Sequence, residues 1–303
     1  MEMRNFFVGV LLLAGLCIYV FSNSGKSTDS SSENYNDGQK VVKKKIKEIE
    51  NKYDAKLGIY SIDTHTKKFF NYNSNQRFAY TSTYKAIAGG ILLKNLTDTE
   101  LNKRIIFKQE DIVEYSPIAQ EYINNGMTLK EIIHAAIAYS DNTAGNILFN
   151  ELGGPKGFEK ELNKMGDTVT QADRYETALN QAVPGDLRDT TTPETFGKIF
   201  ENLILSSKFE EKSYKFFLKT MIDNTTGNKL IRAGVPKGYE VGDKTGAGSY
   251  GTRNDIAFIQ PKKMNKKPLI WVIFSNKKEK DAEYNDQLIA ETARILSEYY
   301  KLN

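Results

Sequence analysis

The order of segment types predicts an α/β fold in which an antiparallel sheet flanked by helices is interrupted by an all-helical domain. Three observations carry this. A helix and two strand patterns come first. A long middle stretch then shows helical periodicity and no strong strand signal. Strand patterns and a final helix return after about residue 239. Sheet strands at both ends of a chain, with helices between, imply an insertion, and the cleft between the two parts is the expected place for a site.

Residues 1–24 hold Arg4, an apolar run over 6–21, and then Ser22-Asn23-Ser24. The run is shorter than the ~20 residues a spanning helix needs, and the small residues after it are spaced as at a cleavage site. It therefore reads as an export signal. An uncleaved membrane anchor through 6–21 and lipid attachment at Cys17 are the alternatives, although Leu16 stands where a lipid signal wants a small residue. Residues 25–38 are rich in Ser, Asn, Asp and Gly and read as a flexible linker. The α/β part is expected over 39–75 and 220–303, the helical domain over 76–219.

Val42, Ile46, Ile49 and Tyr53 recur at helical spacing, giving one apolar stripe on a lysine-rich helix. Strands follow over 57–62 and 68–72, joined by a polar turn that contains His65. The stretch 86–93 is apolar on every side of a helical wheel, which marks a buried helix. Further helices are expected over 129–139, 143–150 and 193–205, with a long irregular loop over 171–192; loops of that length are often functional. Residues 254–259 and 269–274 read as strands. The second is apolar on both faces and should lie centrally, covered from both sides. A last helix over 285–300 carries Leu288, Thr292, Ile295 and Tyr299 on one stripe.

Composition removes several functional classes. Forty-two basic against 38 acidic residues leave a net charge of +4, too mild to argue for nucleic acid, and the lysine clusters read as solvated surface. Cys17 is the single cysteine, so the folded body has no thiol for a disulfide, a thiolate zinc site or a nucleophile. Of the two histidines, His65 sits in a turn and His134 in a helix, both read as structural or exposed. A Ser-His-Asp triad is poorly supplied, so a serine nucleophile here would need another base.

Ser82 and Lys85 stand three apart where the buried helix begins, so they share one face. Alone, the pattern is equally an N-cap serine and a snorkelling lysine. Ser140-Asp141-Asn142 lies between two helices and alone would be a capping turn. Lys244-Thr245-Gly246 leads into a glycine-rich stretch whose Gly246-x-Gly248-x-x-Gly251 pattern is followed by strand, not helix, and so is no dinucleotide fingerprint. The remaining signals are Tyr115-Ser116-Pro117 and the loop running from Arg174-x-Glu176-x-x-Leu179-Asn180 to Arg188-Asp189-Thr190-Thr191-Thr192-Pro193.

Taken together, S-x-x-K, S-D-N, K-T-G and this loop closely resemble the class A β-lactamases, over nearly all of the chain after the linker. The resemblance implies a five-stranded antiparallel sheet of the β-lactamase/transpeptidase type. It also implies hydrolysis of the β-lactam amide through an acyl ester on Ser82. It makes Lys85 or Glu176 the base that activates Ser82, a choice the sequence leaves open, and Ser140 the relay of a proton to the leaving nitrogen. Asn142 and Lys244 help hold substrate, while Lys244, Thr245 and Arg253 bind its carboxylate. The backbone N–H groups of Ser82 and Ala247 form the oxyanion hole. Glu176 and Asn180 position the hydrolytic water, Tyr115 lines the rim, and an Arg174–Asp189 ion pair clamps the loop. No metal, cofactor or obligate protein partner is implied, and the protein is expected to be an exported monomer. Thr177 stands where proline is usual after the glutamate, at a peptide bond that is cis in the family. Thr81 stands where cysteine is frequent, and the disulfide of the carbapenem-hydrolysing branch is impossible. A D-alanyl-D-alanine peptidase shares the three short motifs but lacks the Glu176–Asn180 loop. A membrane-tethered penicillin sensor would be defeated by a group that positions water.

Overall fold

The computed structural model describes residues 30–263 and 266–302. The expected export segment and Cys17 lie outside them. Among the described residues, no helix is long and apolar enough to cross a membrane.

The chain opens with α1 (Ser30–Tyr53), β1 (Lys56–Asp63), β2 (Phe69–Tyr72) and β3 (Phe78–Ala79). After a 3-10 turn at Thr81–Thr83 come α2 (Tyr84–Asn95), α3 (Asp98–Leu101), β4 (Arg104–Ile105), β5 (Met127–Thr128), α4 (Leu129–Ala138), α5 (Asn142–Glu151) and α6 (Gly154–Lys164). The last part runs β6 (Thr190–Thr191), α7 (Pro193–Ile204), α8 (Glu211–Ile222), α9 (Ile231–Gly234), β7 (Tyr239–Gly248), β8 (Thr252–Pro261), β9 (Leu269–Asn276) and α10 (Asp286–Tyr300).

β2, β1, β9, β8 and β7 form one five-stranded sheet in that spatial order, with every neighbour antiparallel. β9 is central, as its two apolar faces required. Its Ile270, Val272 and Phe274 enter one core and Leu269, Trp271 and Ile273 the other. The second core is closed by Val42, Ile46 and Ile49 of α1 and by Leu288, Ile289 and Leu296 of α10.

Three expectations change. The helical segment, expected as an inserted domain, shares its core with the sheet: Ile87, Ile91, Ile133 and Phe149 belong to the same apolar cluster as the inner sheet face. A helix buried on all sides, as α2 is from Tyr84 to Leu93, needs neighbours all round, and the sheet supplies part of that cover. The polar stretch from Ser30 to Gly38, read as linker, is helical. Once α1 is anchored by its apolar stripe, each added residue gains a backbone hydrogen bond without a new nucleation cost. Finally, β3 pairs with β6 and β4 with β5 inside the helical region. Two residues are too few for alternation to register in a sequence.

Candidate active site

The 3-10 turn at Thr81–Thr83 sets Ser82 ahead of α2, so Ser82 and Lys85 project from the first turn of a buried helix. Neither helix-cap position there is filled by a side-chain hydrogen bond, so Ser82 Oγ is not spent on capping. Thr81 adopts φ 47°, a left-handed conformation that is costly for a β-branched residue and needs support. Asn254 of β8 provides it: its Nδ2 donates to Ala79 O (2.8 Å), Thr81 Oγ1 (3.2 Å) and Tyr80 O (3.3 Å). β7 packs against the same turn. A Cβ at Gly246 would lie 2.0 Å from Thr81 Oγ1, so the glycine of Lys244-Thr245-Gly246 is what lets the strand approach the turn that carries Ser82.

Four segments converge on Ser82. Its Oγ accepts from Lys85 Nζ (2.9 Å) and donates to Glu176 Oε1 (3.2 Å). Lys85 Nζ also donates to Asn142 Oδ1 (2.6 Å) and Ser140 O (2.9 Å), and lies 2.9 Å from Glu176 Oε1. Lys244 Nζ donates to Ser140 Oγ (2.9 Å). Asn180 Nδ2 donates to Glu176 Oε2 (2.6 Å). Asn180 Oδ1 is buried with no partner among the described residues, which leaves an acceptor beside the carboxylate. Glu176 thus touches the serine directly.

Burial governs the charges. It lowers the pKa of Lys85, while the Glu176 carboxylate, and Asp141 more weakly, oppose the fall. Lys244 is pushed well below the usual lysine range by burial and by the charge of Lys85. Behind Lys244, Asp243 and Asp255 sit buried on adjacent strands, and burial raises both. The Arg232 guanidinium opposes the rise at Asp243, with Nε 2.5 Å from Oδ1. Asp255 is pushed well above the usual carboxylate range, by burial first and by its neighbour Asp243 second. A carboxyl with a raised folded pKa binds its proton more tightly in the folded state. Its effect on stability is neutral below the unfolded pKa of about 3.9 and grows unfavourable as pH rises toward the folded value. Asp255→Asn should therefore flatten the decline of Tm with pH above about pH 4. Thermal melts across pH 4–8 that keep the wild-type slope would contradict this.

The loop is fixed at both ends and in the middle. Arg174 Nε meets Asp189 Oδ2 at 2.5 Å, and Asp189 Oδ1 also accepts the backbone N–H groups of Asp173 and Arg174. The peptide bond between Glu176 and Thr177 is cis. Asn146 grips Glu176 from α5: its Oδ1 accepts from Glu176 N (2.8 Å) and its Nδ2 donates to Glu176 O (3.2 Å). Asn180 O accepts from Ser249 N (3.0 Å), which docks the loop on the β7–β8 turn.

The other expected residues surround this network, and Thr245 joins it through its carbonyl, which accepts from Lys244 Nζ (2.8 Å). Thr245 Oγ1 meets Thr226 Oγ1 at 2.6 Å. Arg253 lies across the ladder from Ala247, with its Nε on Asp286 Oδ1 (2.7 Å) and its guanidinium 4.6 Å from the centre of the Tyr284 ring. Tyr115 is exposed, and its carbonyl accepts from Asn142 N. Asp141 is the N-cap of α5, so the capping reading of Ser140-Asp141-Asn142 holds for its middle residue alone. His65 and His134 stand outside the site: His65 N–H closes the β1–β2 turn on Asp63, and His134 Nε2 lies 3.8 Å from Asp223. Asn146 and Asn254 were missed. Asn146 could have been found four residues after Asn142 on the same helix face; nothing local marks Asn254. Among the described residues, no three His, Cys, Asp or Glu side chains gather as a metal ligand set.

A family model described as the β-lactamase enzyme family matches residues 40–300. A β-lactamase of Bacillus subtilis (strain 168) is 47% identical over 289 residues, covering 95% of this chain and 94% of that one. β-Lactamase 1 of Bacillus cereus is 45% identical, covering 95% and 94%. Among solved structures, a class A β-lactamase from Clostridium kluyveri superposes with a TM-score of 0.83 at 44% identity, over 86% of this chain and 98% of that one. A halotolerant bacterial β-lactamase gives 0.83 at 45% identity, over 85% and 98%.

Proposed function

The chain belongs to the β-lactamase enzyme family and is a class A serine enzyme that hydrolyses the β-lactam amide of penicillin-type antibiotics, conferring resistance; on that premise we propose how its residues divide the reaction. One observation carries the proposal: Glu176 Oε1 contacts both Ser82 Oγ and Lys85 Nζ, while Oε2 is held by Asn180.

The hydrogen bonds around Ser82 support one reading of the first step. Ser82 gives its proton toward Glu176 and receives a bond from Lys85. Glu176 is thus the first acceptor of the serine proton, and Lys85 stabilises the developing alkoxide. Attack on the lactam carbonyl places negative charge on its oxygen, for which the backbone N–H groups of Ser82 and Ala247 serve as the oxyanion hole. Ser140 delivers a proton to the leaving nitrogen and is reprotonated by the one that Glu176 took from Ser82, passed along through Lys85, which contacts both residues; Glu176 is thereby ionised again in the acyl-enzyme. Lys244, donating to the Ser140 hydroxyl oxygen, offsets the charge that oxygen acquires. Lys244, Thr245 and Arg253 bind the substrate carboxylate, Asn142 helps orient the substrate, and Tyr115 lines the rim.

Esterification removes the O–H that Glu176 Oε1 accepts. The same oxygen then takes a proton from water, whose other hydrogen the unpartnered Asn180 Oδ1 accepts; the water oxygen bonds to the acyl carbon, the bond to Ser82 Oγ breaks, and the proton on Glu176 returns to Oγ. One carboxylate thus serves both half-reactions, which use side chains and water alone. The Arg174–Asp189 pair is structural. The protein acts as an exported monomer.

With purified protein, a penicillin should be turned over repeatedly, while a D-alanyl-D-alanine peptide at the same concentration should not be cleaved. Cleavage of the peptide with a long-lived penicillin adduct would instead support the peptidase reading.

A further inference from the structure

Beneath the Lys85–Glu176 pair lies a phenol that these steps do not use. Tyr84 precedes Lys85 in α2 and is fully buried. Its ring stacks on Phe149 at 4.2 Å and meets Tyr80 and Phe158 edge-on at 5.9 and 6.1 Å. Packing on three sides fixes the ring and hence the place of its hydroxyl. That hydroxyl is buried and has no hydrogen-bond partner among the described residues, although a buried tyrosine O–H ordinarily finds one.

Its position is marked by Gly145. A Cβ there would lie 2.6 Å from Tyr84 Oη and 2.5 Å from Lys85 Cε. The hydroxyl therefore comes up beside the Lys85 stem, in space that Gly145 leaves open. The next residue, Asn146, is the one that grips the Glu176 backbone. The phenol, the lysine and the loop carboxylate thus meet over one turn of α5. Burial first, and the charge of Glu176 second, raise the phenol well above its usual range, so it stays protonated and can act as a donor.

We propose that Tyr84 is a positioning residue for deacylation: its hydroxyl donates to the Glu176 carboxylate once esterification has removed the serine proton that Oε1 accepts in the free protein. This rests on the reading of Glu176 as the group that activates water. In the free protein Lys85, Ser82 and Asn180 surround the carboxylate. In the acyl-enzyme one donor is lost, and the Glu176 side chain turns toward the fixed phenol, which replaces that donor and keeps the carboxylate ionised. A donor to the ionised form lowers a carboxyl pKa, so removing it should move the acid limb of turnover to higher pH.

The experiment compares wild type with Tyr84→Phe, Glu176→Gln and the double variant, using a penicillin, stopped-flow rates for acylation and deacylation, and pH profiles of kcat. Tyr84→Phe keeps the ring. It should slow deacylation about tenfold and raise the acid-limb pKa by up to about one unit, the scale of one hydrogen bond to a charged group. Acylation should change far less. Tm should be unchanged or higher, because an unpartnered buried hydroxyl has been removed. The double variant should deacylate no more slowly than Glu176→Gln. Tyr84→Phe with wild-type deacylation and an unmoved acid limb, whatever its Tm, would make Tyr84 a packing residue and overturn the proposal while Glu176 keeps its role. If Glu176→Gln turns over normally, the role of Glu176 falls and this proposal with it.

Discussion

Ser82→Ala is expected to reduce β-lactam turnover by a factor on the order of 10⁵–10⁶, the scale seen when the nucleophile of a serine hydrolase is deleted. The size follows from what remains. Lys85, Ser140, Lys244 and Glu176 keep their contacts with one another, so substrate should still bind, but no oxygen stands where the carbonyl must be attacked. Stability should not suffer. Ser82 caps no helix, and its hydroxyl joins a cluster in which buried charge is tolerated for chemistry at some expense of folding free energy. Steady-state hydrolysis and a thermal melt on one preparation check both parts. Activity within tenfold of wild type would remove Ser82 as the nucleophile.

Glu176→Gln is expected to have the second largest effect, and an asymmetric one. Deacylation should fall by about 10²–10⁴, the contribution of a general base, and acylation by less. The asymmetry comes from Lys85. Burial lowers its pKa and the Glu176 charge holds it up. With a neutral amide at position 176 that support goes, and Lys85 loses its proton more readily. It can then take over from the carboxylate toward Ser82, with which it already shares a hydrogen bond. No such substitute stands on the water side, where Asn180 offers an amide and no base. Pre-steady-state kinetics should show a burst followed by a slow phase. Equal loss in both steps would mean that Lys85 does not replace Glu176.

How far this site could be read from the chain depends on the range of the signal. The all-apolar run after Lys85 required a buried helix, and the three-residue spacing from Ser82 placed both groups on one face. β9 announced its central place by having no polar face. Contacts spanning long stretches of chain had no such signal. Glu176 lies in a loop without periodicity, and its approach to Ser82 rested on the family resemblance rather than on any pattern in the residues around it. Asn254 supports the turn that carries Ser82 from a strand more than 170 positions away, and no local rule connects the two. Tyr84 illustrates the opposite limit. It stands just ahead of the all-apolar run, but its unpartnered hydroxyl lies beside the missing side chain of Gly145, a relation between two helices. The extension of α1 back to Ser30 was hidden because composition reports intrinsic propensity, and tertiary anchoring overrides it.

The most direct test of the account is peptide mass mapping of Glu176→Gln quenched seconds after mixing with one equivalent of penicillin. The account predicts one added substrate mass per protein, carried on the peptide containing Ser82 and persisting long after wild type has cleared its own. An adduct on another residue, no adduct at all, or one that disappears at the wild-type rate would contradict it.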